Sequence, residues 1–461
     1  MKLSVKNILV VLVCCATLAL TGCKKSSSTN YNVSVSVSGL LGTGLYLQLN
    51  YVNGTQPNVA SGAPVIANGV VTFPNQLPNN AVYAVNVLYP PGSPFQNCTL
   101  ANASGTIADA NVTNITLTCA SVGFAYLVNS AANQIAPYTI DLGTGMLNSS
   151  GPSLSAGTAP SALALSPTGR YAYAVSSTDS TMAAYLGNVS TGQLISAGSA
   201  VSTGTGGNPS AVVVEPGSQY VYVANQTSGT VAGFAINSAS AAVTCLGAVA
   251  GVCPATPTAT VGAAPAAMTV TKSASGSEYL FVVNSGGNSV SEFAINSDGS
   301  LSGIGAAATG NNPSAIAATP GSVTYVYVTN TSDDTVSGYI NNSGALAANS
   351  TTALPAGSMP SALAITPNGK FAYVACSGNS TVAAFSIDGT GALVGLGTPL
   401  AAGTGNQPVS VSVDASGAYA YVVSKNSNTV WLYKINTDGT LTAASSQQIG
   451  NAPVALVTAA N

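Results

Sequence analysis

The sequence predicts an all-β protein, a seven-bladed β-propeller preceded by a small antiparallel β-sandwich. Three observations carry that expectation. A stretch made of a Gly-x-x-Pro entry, a short apolar strand, a turn and an alternating strand recurs from Gly157, Gly206, Gly262, Gly310, Gly357, Gly405 and Gly450. The entry prolines Pro160, Pro209, Pro265, Pro313, Pro360, Pro408 and Pro453 are spaced by 49, 56, 48, 47, 48 and 45 residues. A second marker, the aromatics Tyr126, Tyr173, Tyr222, Phe281, Tyr327, Tyr373 and Tyr421, independently counts to seven. A repeat of about 40–50 residues holding four strands is the pattern of propeller blades, which bury their faces only against one another.

The N-terminus reads as an address. Lys2 and Lys6 precede the apolar run Ile8 to Leu20, which is shorter than the roughly 20 residues a spanning helix needs. The tetrapeptide Leu20-Thr21-Gly22-Cys23 follows. It resembles the bacterial lipobox, which implies a signal peptide over residues 1–22, lipidation at Cys23 and membrane attachment through it. By the same resemblance, Lys24 implies sorting to the outer membrane. Residues 23–30 read as the modified Cys and a polar tether.

Residues 31–120 alternate apolar and polar at period 2 in the runs 31–37, 45–49, 70–73, 81–87 and 112–118, with Gly, Pro and Asn between. That spacing predicts five to seven short strands in a sandwich. The module resembles Ig-like or prealbumin-like spacers. In an exported chain, disulfides Cys98–Cys119 and Cys245–Cys253 are expected. Cys376, inside a strand pattern, reads as a buried small hydrophobe.

Residues 121–461 hold the repeats. In the unit that opens at Pro360, Ser361 to Thr366, Phe371 to Cys376 and Thr381 to Ile387 read as three strands, and Ala392 begins a fourth. The last copy ends after one strand, 453–457, while an unmatched second strand stands at 124–129. The two are expected to complete one blade and close the ring, leaving no free edge there.

Composition excludes several functions. Charged residues are 5% of the chain and the net charge is −3, so there is no basic patch for nucleic acid. The chain contains no His, which excludes a Ser-His-Asp arrangement. No cofactor motif is present, and the protein is expected to be a monomer.

Tyr327-Val328-Thr329-Asn330 spells YVTN, with near-copies at Tyr126, Tyr222 and Phe281. The repeats therefore resemble YVTN-repeat surface proteins and the wider 6-phosphogluconolactonase-type lactonase propellers. That resemblance implies a lactone hydrolase whose Arg and His follow a Gly-Pro entry and whose Glu follows a second strand. Here those places read Pro160-Ser161-Ala162, Pro209-Ser210-Ala211, Pro313-Ser314-Ala315 and Pro360-Ser361-Ala362. Where the Glu would stand at the ends of the second strands, the sequence carries Ser176, Asn225, Asn284, Asn330, Ser377 and Ser424. No catalytic residue is assigned. Asp333 and Asp334, an adjacent pair on the entry-loop face, are the weak candidate for a metal or catalytic carboxylate site.

Entry loops rim the channel of such a ring. The candidate binding residues on that rim are Thr158, Asn208, Asn311, Asn312, Ser358, Asn406, Gln407 and Asn451. The first expectation is thus an envelope-anchored, non-enzymatic propeller that binds a protein or glycan or serves as a scaffold. Alternatives are a lactonase-like hydrolase with an altered site and a purely structural surface repeat protein.

Overall fold

The computed structural model describes residues 29–459 apart from 42–43, 54–55, 90–95, 189–190, 248–257, 322–323 and 404–406. The predicted signal peptide, Cys23, Cys253 and Asn406 lie outside the described residues.

The described chain is all-β. In its N-terminal part, one sheet orders strands Gly69–Thr72, Val33–Ser38, the first half of Val112–Asn129 and Gln96–Ala101. A second sheet orders Gln56–Val65, Leu45–Asn53, Val82–Tyr89 and Ser104–Thr106. Their facing side chains, among them Val33, Val35, Leu47, Leu49, Ile115 and Leu117, form one apolar core. The period-2 runs put these residues on one face. One feature differs from an all-antiparallel sandwich. Val33–Ser38 and Val112–Thr118 pair in parallel, which short-range turn signals do not encode. Strand Gln56–Val65 contains Pro57, Gly62 and Pro64, so it carries weak strand signals. Cys98 and Cys119 face each other across antiparallel strands and form a disulfide. Cys245 is disulfide-bonded as well.

The strand Val112–Asn129 continues without interruption into the second unit. Through Ser121 it pairs with Gln96–Ala101; from Val122 it pairs with Gln134–Asp141. Phe124–Asn129 also pairs antiparallel with the final strand, Pro453–Ala459. Blade 1 therefore takes its innermost strand from the C-terminus. Blades 2 to 7 open at Pro160, Pro209, Pro265, Pro313, Pro360 and Pro408, each as an antiparallel inner, second, third and outer strand. Each inner strand neighbours the next around the ring, including the last with that of blade 2.

Two aromatic belts join the blades. The second-strand hydroxyls of Tyr173, Tyr222, Tyr327, Tyr373 and Tyr421 donate to carbonyls in the outer hairpin of the following blade, at 2.8–3.0 Å. Third-strand Tyr185, Tyr339 and Tyr433 reach back to the preceding blade's outer strand. The hairpin turns leave room for aromatic rings. A Cβ on Gly391 or Gly439 would lie within 2.2 Å of the Tyr325 ring or 2.1 Å of the Phe371 ring, and both glycines have positive φ. No other residue supplies both properties.

Candidate functional site

The entry-loop face is built from the same parts in every blade. The residue before each entry proline is left-handed: Ala159, Asn208, Ala264, Asn312, Met359, Gln407 and Ala452 have φ between 46° and 52°. All seven are non-glycine, and each conformation is costly for an L residue. A hydrogen bond compensates each time. The carbonyl of this residue accepts the N–H of the residue after the second strand, at 3.0–3.2 Å in all seven blades.

A second set of bonds runs between blades. The turn between second and third strands presents Asn133, Ser180, Asn288, Asp334 and Asn428, each left-handed. Their side-chain oxygens accept the N–H of Ala159, Asn208, Asn312, Met359 and Ala452 in the following blade. Asp334 also accepts the Gly357 N–H at 2.7 Å.

Asp333 does the reverse. Its two oxygens accept the backbone N–H of Asn311 at 2.7 Å and its side-chain amide at 2.8 Å, within its own blade. These bonds hold the Asp333 carboxyl below the usual Asp range. The adjacent carboxylates thus diverge onto two entry loops and do not converge on a shared ligand position. Asp179 makes an equivalent bond to the Thr158 N–H at 2.6 Å. Among the described residues, no three His, Cys, Asp or Glu side chains cluster so as to hold a metal.

The rim candidates separate into three groups. Thr158, Asn311, Asn312, Gln407 and Asn451 are exposed, and Asn208 is half-buried. The Asn208 side chain is engaged by Gln226, and that of Asn311 by Asp333 and Asn288. Ser358 is a correction: it is buried, with its hydroxyl bonded to the Pro355 carbonyl and accepting from the Asn379 amide. The Pro355 turn folds that loop inward, so Ser358 does not offer itself to a ligand.

The serine after the entry proline has a defined task. Ser161, Ser210, Ser314 and Ser361 donate to the carbonyls of Pro209, Pro265, Pro360 and Pro408, at 2.6, 2.6, 2.8 and 2.7 Å. Each bond crosses from one blade to the next. The entry glycines fit the same arrangement. A Cβ on Gly310 would approach the Asn330 side chain to 2.8 Å, and one on Gly262 would approach Asn284 to 2.7 Å. In blades 4 and 5 the entry Gly and the Asn that ends the second strand are therefore packed partners. Cys376 is fully buried, and burial pushes its thiol up to about 11.

Sequence reasoning does not single out Ser337, Gly338 or Ser350 of blade 5. The available signal is the combination Ser337-Gly338 where blades 2 and 6 carry Ala183-Ala184 and Ala383-Ala384; blade 4 has the Ser alone, at Ser291, and blade 3 the Gly alone, at Gly233.

The family described as "Lactonase, 7-bladed beta-propeller" matches residues 99–214, 201–359 and 344–458. Solved structures agree on the fold. A putative 6-phosphogluconolactonase from Bacteroides fragilis superposes with a TM-score of 0.61 at 19% identity, over 73% of this chain and 98% of its own. The periplasmic gluconolactonase of Pseudomonas aeruginosa gives 0.61 at 19% identity, over 74% and 99%. A protein from Lactobacillus plantarum gives 0.59 at 20%, over 73% and 99%. No curated protein sequence matches the chain.

Proposed function

This chain belongs to the seven-bladed β-propeller lactonase family, and from that premise we propose that it keeps the family ring as a non-enzymatic binding or scaffold module for an envelope protein or glycan. One observation carries the reading. The serines at the positions where the lactonase resemblance implies Arg donate to the entry carbonyl of the neighbouring blade. They hold the ring together and leave no cation there for an acidic substrate. The chain has no His to act as a base at neutral pH. Lipidation at Cys23 and an outer-membrane location belong to the same proposal, with the N-terminal sandwich as an Ig-like spacer.

Family membership favours a second reading, a lactonase with a rebuilt site. Its base would have to come from the entry-face carboxylates Asp179, Asp333 and Asp334. Each of these accepts a backbone N–H, and Asp333 is a weakened base. Hydrolysis of gluconolactone and 6-phosphogluconolactone, with and without chelator, separates the two. The binding-module reading expects only the buffer rate. Turnover by the purified protein that disappears in Asp333→Ala or Asp334→Ala would establish the hydrolase instead.

A further inference from the structure

A cleft of about 580 Å³ opens between blades 4 and 5 and reaches the blade 5 entry loop at Gly310. Its walls are the end of the blade 4 outer strand and the third and outer strands of blade 5. The volume falls within the range of small-molecule sites.

The polar groups on its walls are arranged in a specific way. The Asn330 side-chain amide donates to the hydroxyls of Thr335 at 3.0 Å and Ser337 at 2.9 Å. The Thr335 oxygen is thereby used as an acceptor, which leaves its proton available for donation, while the Ser337 hydroxyl is engaged by Tyr339. The Ser350 hydroxyl is buried and has no hydrogen-bond partner. Asp333 supplies an ionised carboxylate whose oxygens each retain acceptor capacity beyond the bonds from Asn311. It takes part in no ion pair among the described residues. The Oδ1 of Asn330 is likewise buried and unpartnered. Gly338 makes the room that the Ser350 hydroxyl occupies: a Cβ at that position would stand 2.5 Å from it.

We propose that this cleft binds a neutral or amino-sugar residue of a glycan. Hydroxyl donors beside a carboxylate acceptor match the paired donor and acceptor character of sugar hydroxyls. No large apolar side chain projects from the walls to anchor a peptide, since Tyr339 is buried and its hydroxyl is bonded to the Ala308 carbonyl. Acidic sugars are disfavoured by the Asp333 charge. The assignment rests on the binding-module reading and narrows its ligand.

The test uses the full protein against an array of neutral, amino and acidic glycans. Calorimetric titration follows with glucose, galactose, mannose, N-acetylglucosamine, glucosamine and glucuronic acid. Two variants accompany it. Ala348→Trp fills the cleft from an exposed outer-strand position, and Ser350→Ala removes the unpartnered hydroxyl. Melting temperatures verify that both variants fold. Neutral or amino sugars should bind, glucuronic acid should bind about tenfold more weakly or worse, and Ala348→Trp should lose about tenfold or more. Ser350→Ala should weaken binding in the same direction. Equal binding of acidic sugars, or no binding of any sugar, overturns the proposal. Sugar binding that survives both variants overturns the cleft while leaving the binding-module reading intact. Lactone turnover would overturn that reading independently.

Discussion

Ala159, Ala264 and Ala452 hold a left-handed backbone that costs an L residue roughly 1–2 kcal/mol. The ring tolerates this because the carbonyl at that position must meet the N–H beyond the second strand. Replacing Ala264 with Gly retains the bond and removes the strain. Chemical unfolding should show the variant more stable by up to ~1 kcal/mol; a loss of stability would mean that the Ala methyl packing outweighs the strain. The tyrosine belt permits a complementary substitution. Blade 4 already carries Phe281 where the other blades carry Tyr, so the ring tolerates that shape. Tyr327→Phe should leave the buried Gly391 carbonyl without its donor and cost about 1–3 kcal/mol. A neutral effect would show that this belt is packing alone.

At the scale of elements, the outer hairpins and the closing strand matter most. The Asp388 Oδ1 accepts the Thr390 hydroxyl and the N–H groups of Thr390 and Ala392. These bonds hold Asp388 below its ordinary value of 3.8. The folded chain therefore resists protonation to lower pH than the unfolded chain. The stabilisation is present above about 3.8 and is lost as pH falls through the depressed value. The melting-temperature gap between the wild type and Asp388→Asn should accordingly narrow on acidification below about pH 4; a constant gap would remove the carboxylate from the account. The closing strand carries more. Deleting residues from Gly450 onward strips Phe124–Asn129 of its inner partner and exposes an edge and apolar core together. The truncated chain should melt well below the full chain, and equal melting would contradict ring closure by that strand.

At the scale of the whole molecule, buried tyrosines set the alkaline limit. Desolvation pushes Tyr126 and Tyr185 up to about 12 and raises several others further. The unfolded chain ionises near the ordinary value of 10.0. Stability is thus intact below about 10 and should fall as pH rises through 10 toward 12, in a scan of melting temperature against pH. Much of this architecture is legible in sequence because each blade repeats the same local chemistry. The prolines and aromatics count the blades, and the orphan strand at Pro453 indicates the closure. The parallel pairing of Val33–Ser38 with Val112–Thr118 is not legible, since it joins segments distant in sequence with no turn between them. Nor are the opposite directions of Asp333 and Asp334, which depend on the entry loops each one meets in space. Ser161, Ser210, Ser314 and Ser361 recur after their entry prolines in the sequence, but what their hydroxyls do is not legible until the inter-blade bonds are seen. Those four bonds carry the claim that the entry positions serve the ring. The direct measurement is denaturant unfolding of the protein with all four serines replaced by Ala. At about 0.5–1.5 kcal/mol per bond, the variant should lose about 2–6 kcal/mol. An unfolding midpoint unchanged from wild type would show that the ring does not need these hydroxyls and that their place at the entry has another purpose.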